Sequence, residues 1–579
     1  MSGLREPASA IAASVPVVII VGGDALALSA AREICEMQGH RVVVLWPADA
    51  EFEVEVEGIG AILVAGRPET REALEAAGVM RAVSILALSR DDQVNLQVAL
   101  RARDINPRIR IVLRQFNRTL AAKIEQNLPN CSVLSLAWHS AATYAAVALD
   151  PTCLRGLQFP DLNGPLTGFA ARDADQAGVV GQTVADAEAM LAARVVAIDG
   201  DIGIAVDTVV PSGAQLIVYA TIEQLLVSAP RQSVAENRPR LGDRLHDGLH
   251  RGHIRLRRID RYIYGFAAVA AALFWVSTWH FRVAFGIDWL TAAYFVMSTM
   301  TTTGYGDITP DRGNPLDVVM AMVLMLFGTV ATGIFIAFAA ARLTRGQWVR
   351  MQGLRPVRRR GHIVVCGCGS IGTGVIDLLL QFDKPIVVVE SRPDAALVER
   401  ARDLGFDLLT GDASRDDALD LCNLDAAHSL VALTNVDTLN LEVALGARAR
   451  NPSMPIVLRI AEAGFAASIA RHFQFETTFS VAALAGPVFA GLSRLDGARG
   501  RVAFNGQEFA IAEAVMRDNG LELPRDAIVL AAAKGSEVAL IRDLHDLAGG
   551  TEVLILVPLA PFHDGRENFA AIADRAQTS

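Results

Sequence analysis

Two stretches without charge constrain this chain more than anything else in it. Residues 262–281 (YIYGFAAVAAALFWVSTWHF) and 318–341 (VVMAMVLMLFGTVATGIFIAFAAA) run for 20 and 24 residues with no Asp, Glu, Lys or Arg. A helix rises about 1.5 Å per residue, so each stretch reaches across the roughly 30 Å of a bilayer's hydrocarbon. Basic residues set the direction of crossing. Eight arginines lie between 238 and 261 and seven between 342 and 360, against only Arg282 and Arg312 between the two runs. Because basic flanks stay on the cytoplasmic side, this pattern predicts a hairpin with both ends inside the cell. No membrane segment carries an arginine repeat, so no voltage sensor is expected.

Inside the hairpin, 288–300 (DWLTAAYFVMSTM) favours helix but is too short to span, which predicts a re-entrant half-helix. It runs into 301–310, TTTGYGDITP. Two glycines around a tyrosine are compatible with a tight turn, because glycine tolerates positive φ. At membrane depth, however, irregular backbone survives only where protein buries it or where it lines an aqueous cavity.

Helix, half-helix, TTGYG and helix together resemble the pore module of potassium channels, whose filter reads TVGYG. The resemblance implies K+ sites formed by the carbonyls of Thr302, Thr303, Gly304 and Tyr305. Gly304 and Gly306 would supply glycine-like conformation at alternate positions. Tyr305 would brace outward against Tyr294 or Trp289, and Asp307 would sit at the outer mouth, hydrogen-bonded behind the filter. Thr303 stands where valine is usual, and Ser298 where some relatives carry an acid. In the second membrane helix Gly328 and Gly333 are gating-hinge candidates, with close helix packing as the alternative use of a membrane glycine. A filter needs four such loops and the chain has one, which implies a homotetramer.

Composition agrees with a mixed protein. At 52% apolar and 20% charged residues, the chain is too apolar for an ordinary soluble protein and too charged for a wholly membrane one. A net charge of −10 leaves no excess of positive charge for phosphates, so no nucleic-acid partner is expected. Its six cysteines all fall outside 281–317, the stretch assigned to the cell exterior, which gives no reason to expect disulfides. Cys366 and Cys368 read as buried thiols.

The flanks of the hairpin repeat one another. Residues 88–114 (LSRDDQVNLQVALRARDINPRIRIVLR) and 433–459 (LTNVDTLNLEVALGARARNPSMPIVLR) align without a gap at an offset of 345, with 15 of 27 positions identical. Both flanks alternate β-branched strands with helical stretches, the pattern of a doubly wound parallel sheet. The second opens with HIVVCGCGSIG, a GxGxxG formed by Gly367, Gly369 and Gly372 that runs into a helix through Ser370 and Ile371. The next strand, IVVVE, ends in Glu390. Backbone N–H groups at a helix N-terminus cradle phosphate, and a strand-end carboxylate takes ribose hydroxyls.

With GDAS at 411–414, these features resemble the RCK (TrkA-N) domain, the regulator of K+ conductance. The resemblance places Asp412 beside a site for NAD(H) or an adenine nucleotide, with Ca2+ as a further candidate ligand. The same offset turns Gly367 into Gly22, Gly369 into Asp24, Gly372 into Ala27, Glu390 into Leu45 and Asp412 into Arg67. The first copy is therefore expected to have lost ordinary dinucleotide binding, with Arg67 leaving room for another anion.

The expected fold is two α/β Rossmann-like RCK domains flanking an α-helical, two-transmembrane potassium-channel pore module. Its parts are a tail (1–16), a Rossmann-like lobe (17–150), a smaller C-terminal lobe (151–230) and a basic linker (231–261). The pore module (262–345) holds the first membrane helix (262–281), the pore helix (288–300), the filter (301–307) and the second membrane helix (318–341). A second basic linker (346–360), a second Rossmann-like lobe (361–480), its smaller lobe (481–560) and a tail (561–579) complete the chain.

The expected function is a potassium-selective, ligand-gated channel of the inner (cell) membrane, with K+ as permeant ion and a cytoplasmic gating ring of eight RCK domains. A transporter subunit is a rival, although transporter pores fuse four hairpins with simplified filters. A membrane-anchored NAD-dependent oxidoreductase is a second rival, but neither small lobe offers a catalytic His or Lys. No enzyme activity is expected.

Overall fold

The computed structural model describes residues 15–37, 40–47, 50–115, 118–160, 164–228, 261–310, 314–351, 356–475, 477–493, 497–504, 507–516, 523, 527–534, 537–542, 544 and 547–559. The basic linker as far as residue 260 and most of both tails lie outside the described residues. The chain forms two units, 1–230 with 356–579, and 231–355.

In the first unit each repeat opens with a six-stranded parallel sheet, strand order 3-2-1-4-5-6 counted along the chain. Val17–Val21 reads VVIIV with every residue buried, between Arg41–Leu45 and Ala82–Ala87. Ile363–Cys366 sits equivalently between Ile386–Glu390 and Ser429–Ala432. Continuous β-branched strands suit a parallel sheet covered on both faces. A five-stranded antiparallel sheet follows in each repeat.

The connecting helices Leu136–Leu149 and Val481–Leu492 begin one repeat apart, and each crosses to the other repeat. The first packs on the helix Ser370–Leu379, the second on Ala25–Glu36. Their Ala- and Gly-rich faces allow close approach. A Cβ at Gly374 would come 3.0 Å from the Ala141 Cβ, and one at Gly486 would come 2.3 Å from the Ser29 Oγ. Hydrogen bonds also cross, from the Ser29 hydroxyl to the Ala482 carbonyl (3.1 Å) and from the Tyr144 hydroxyl to the Phe479 carbonyl (3.0 Å). Hydrophobic cores are shared between the repeats. Boundaries drawn at 150 and 480 assign the first connecting helix to its parallel sheet and the second to its small lobe. Structurally the two helices are the same element.

The second unit is helical: Arg261–Phe285, Trp289–Met300 and Pro315–Met351. The last helix has 37 residues and is therefore about 55 Å long, well beyond the apolar run inside it. Arginine and leucine are good helix formers, so the charge that ends an apolar run does not end the helix. Asn314 caps its start, accepting from the Leu316 amide at 3.2 Å. Ala268–Phe285 and Pro315–Ile334 are long and apolar enough to cross a membrane, yet only 17% and 22% of these windows are buried. Trp275, Trp279 and Leu326 are exposed. Helices so apolar and so uncovered are not core helices of a soluble fold, and they fit a lipid or subunit environment.

Candidate functional site

The helix Trp289–Met300 positions the loop 301–307, the candidate filter. Asp288 caps its start, accepting from the amides of Leu290 (3.0 Å) and Thr291 (3.2 Å). Phe295 points into a small core and meets Phe281 edge to face, centroids 4.8 Å apart. At its other end the Ser298 carbonyl accepts the amides of Thr303 (2.9 Å) and Gly304 (3.1 Å). The amides turned back in this way leave the carbonyls of Thr302, Thr303, Gly304 and Tyr305 without a donor among the described residues.

Positive φ falls at every second residue: Thr302 at +61°, Gly304 at +52° and Gly306 at +75°. Alternation of this kind lets successive carbonyls point the same way. The sequence suggested it for the two glycines; Thr302 adopts it as well, against the preference of a β-branched residue. The loop also leaves the C-terminal end of the pore helix, where the helix dipole favours a cation.

Tyr305 stacks on Tyr294, centroids 6.2 Å apart and planes within 9°. The Asp307 carboxylate lies near Tyr294 and accepts from the Ile308 amide at 3.1 Å. Trp289 instead lies under the Arg282 guanidinium, 4.6 Å from the ring centroid. Gly328 lies against the pore helix, where a Cβ would meet the Met300 carbonyl oxygen at 2.1 Å, whereas nothing approaches a Cβ at Gly333 within 4 Å. Outside the filter, the buried Asp317 accepts from Asn314 Nδ2 (3.0 Å) and lies 2.8 Å from His280 Nε2, tying the two membrane helices together.

In the second repeat the glycine loop lies at the switch point between the first and fourth strands of the sheet, where such folds bind ligands. Gly367 has φ +95°, and a Cβ at Gly372 would meet the Gly367 carbonyl oxygen at 2.1 Å, so this close helix–strand approach needs glycine. Gly369 is the N-cap and offers no side-chain cap. Ser370 is exposed, but the Ile371 side chain is buried in the core, so only its backbone amide can face a ligand. The Glu390 carboxylate accepts from the amides of Cys368 (2.8 Å) and Arg392 (3.1 Å). Burial by itself raises this carboxyl, but those bonds and one from Ser391 outweigh it and hold it below its ordinary value. Asp412 lies just beyond the strand paired with Glu390 and accepts from the Ser414 amide (3.0 Å) and hydroxyl (2.9 Å). Among the described residues no group of three His, Cys, Asp or Glu side chains is arranged to hold a metal ion.

The first repeat keeps the loop and changes its contents. The Asp24 carboxylate caps the helix Ala25–Glu36, accepting from the Ala27 amide at 3.2 Å. It also binds Arg114 Nη1 (2.9 Å) and Arg90 Nε (3.2 Å). Arg67 is engaged by Glu69, Nε to Oε1 at 2.8 Å.

The TrkA-N domain family matches residues 18–129 and 363–479, and the ion channel family (Ion_trans_2) matches 264–345. The chain carries two TrkA-N domains around one ion-channel domain. Among curated proteins, the probable potassium channel protein 2 of Methanocaldococcus jannaschii is 28% identical over 31% of this chain and 53% of its own length. The voltage-gated potassium channel Kch of Escherichia coli is 26% identical over 30% of this chain and 42% of its own. The calcium-gated potassium channel TvoK of Thermoplasma volcanium is 26% identical over 26% and 41%. The chain is homologous to these potassium channel proteins, and spans about half the length of the first of them. A solved structure of the GsuK channel bound to NAD aligns over 94% of this chain and 77% of that one, at 13% identity and a TM-score of 0.47.

Sequence reasoning passed over one pair of residues in each cleft. Asn95 and Asn440 are fully buried and make the same bonds one repeat apart. Each side-chain oxygen accepts a loop amide at 2.8 Å (Ser89, Thr434). Each Nδ2 donates to the carbonyl of an arginine one repeat apart, Arg114 at 3.0 Å and Arg459 at 2.9 Å. The signal was available, since Asn and Arg are unchanged between the two 27-residue segments.

Proposed function

We propose that this chain is one subunit of a potassium-selective channel, gated by ligands that bind its cytoplasmic RCK domains. The observation that carries the reading is the filter loop: alternate positive φ at 302, 304 and 306, with the amides of 303 and 304 tied back to Ser298. Carbonyls freed in this way replace the water shell of K+. The ion is assigned to the carbonyls of Thr302, Thr303, Gly304 and Tyr305. Four chains would surround one pore as a homotetramer in the inner (cell) membrane, termini in the cytoplasm, with eight RCK domains in the ring, two from each chain.

The gating ligand is assigned to the second repeat: NAD(H) or an adenine nucleotide on the backbone from Gly367 to Gly372, with Glu390 and Asp412 at its rim. Ca2+ is the other candidate, by analogy with the relative named as calcium-gated. A ligand shifts the pore only through different affinities for its open and closed forms. Gly333, around which space is open, is the preferred hinge. The test is K+ flux from liposomes holding the purified chain, with ADP, ATP, NAD+, NADH and Ca2+ added in turn. K+-selective flux that changes with one of them is expected, and the absence of K+-selective flux under every condition overturns the reading.

A further inference from the structure

The two repeats provide an internal comparison, since equivalent atoms can be examined with and without an anion. Arg114 is the last residue of its strand, and Arg459, one repeat on, is the last but one of the equivalent strand. Nη1 of each donates to the carbonyl of an equivalent loop leucine, Leu88 at 3.1 Å and Leu433 at 3.2 Å. In the first repeat Nη1 also holds the Asp24 carboxylate, which sits on the N-terminus of its helix. In the second, position 369 has no side chain and Arg459 has no carboxylate within ion-pair distance among the described residues. Its Nη1 reaches only the carbonyls of Leu433 and Thr434 and the Asn435 side-chain oxygen (3.3 Å). The space beyond Gly369 is open: the nearest atom to a Cβ there is that same Asn435 oxygen, at 3.8 Å.

The neighbouring position differs in the same sense. Glu390 and Ser391, at the rim of the second cleft, are Leu45 and Trp46 in the first. The Trp46 indole lies so close to Gly23 that a Cβ there would meet its Nε1 at 2.1 Å. An indole therefore covers the loop of the first repeat just past the strand end, where the ribose of a dinucleotide belongs.

We propose that the first repeat is a self-liganded copy of the nucleotide site, with Asp24 in the phosphate place and Trp46 in the ribose place. In the second repeat, Arg459 is the residue that binds the ligand's phosphate. The inference rests on the nucleotide reading of the second repeat. It makes one repeat of each chain permanently occupied and one responsive, so that each chain binds one nucleotide. The shared chemistry is an anion held between a helix N-terminus and a guanidinium, supplied in one case by the chain and in the other by solution.

The test uses the full chain in detergent micelles, titrated calorimetrically with ADP and with NAD+, and the same protein in liposomes for K+ flux. Wild type is expected to bind one nucleotide per chain. Arg459→Gln is expected to weaken binding tenfold or more. Gly369→Asp should abolish binding and give, without nucleotide, the flux that saturating nucleotide gives in wild type. Should Arg459→Gln fail to fold, as judged by thermal unfolding, Gly369→Asp still reads the same point, because its side chain enters open space. Wild-type affinity in a folded Arg459→Gln, two nucleotides bound per wild-type chain, or Gly369→Asp flux at the unliganded level each overturns the inference while leaving the nucleotide reading intact. A wild-type chain that binds neither nucleotide overturns both.

Discussion

Arg155 in the first repeat lies over Gly500 in the second, the residue one full repeat after it. A Cβ at 500 would meet the Arg155 guanidinium at 2.8 Å. Equivalent residues touch only near the axis relating their repeats, so this pair marks the pseudo-twofold axis and breaks its symmetry. The guanidinium is buried, donates across the repeats to the Leu484 carbonyl at 2.8 Å, and is pushed down to about 10 by desolvation. One repeat supplies the side chain and the other the space for it, which favours pairing of the two unlike copies.

Gly500→Leu should therefore destabilise the α/β unit by about 2–4 kcal/mol, as overpacking of a closed interface does. Arg155→Met removes a buried charge that has no acid partner among the described residues, and should change stability by about 1 kcal/mol or less. Thermal unfolding of the detergent-solubilised chain distinguishes the two.

Glu33 gives that unit a dependence on pH. Burial pushes its carboxyl up to about 7, more than the neighbouring Arg501 guanidinium lowers it, with Glu36 and Glu508 adding to the rise. A carboxyl whose folded pKa exceeds its unfolded value binds protons on folding. Its favourable contribution is complete below the unfolded value of 4.5 and is lost as pH rises towards 7. Between pH 5 and 8 the wild type should lose about 1–3 kcal/mol relative to Glu33→Gln. Unfolding temperatures of the two proteins across that range should diverge as pH rises; parallel curves would rule out the assignment.

The filter glycines have conformations that alanine tolerates poorly. Gly304→Ala and Gly306→Ala each require a side chain at positive φ, at a cost of about 1–2 kcal/mol, and redirect a carbonyl. K+ flux in liposomes should fall more than tenfold in either variant while thermal unfolding of the α/β unit stays unchanged.

The two membrane glycines should part company. Gly328→Ala drives a Cβ into the Met300 carbonyl and should cost about 2–4 kcal/mol in the helical unit, measured as a lower unfolding temperature in detergent. Gly333→Ala meets nothing and gains helix propensity of up to about 1 kcal/mol. If the helix bends there on opening, Gly333→Ala should reduce flux with no loss of stability; unchanged flux would remove Gly333 as the hinge.

Much of this molecule was legible because its signals are local. Charge-free runs, arginine flanks, alternating glycines and β-branched strands act through backbone conformation and solvation within a few residues. The repeat offset carried that reading from one copy to the other, including the loss of Gly369 and Glu390 from the first. It did not carry the meaning of those losses. The Asp24 carboxylate caps its own helix and is held by Arg114, which comes to it from a strand 90 residues away in sequence.

The sequence by itself determined the two long apolar helices, the short helix and GYG segment between them, the two doubly wound sheets and the intact glycine loop of the second repeat. Each follows from residue type and spacing along a short stretch of chain. Only the tertiary structure decided that the connecting helices exchange between repeats, that Arg155 takes the space of Gly500, and that Trp46 covers the first cleft. Those outcomes depend on which surfaces fit when residues hundreds apart in the chain are brought together, and close packing leaves no trace in local periodicity.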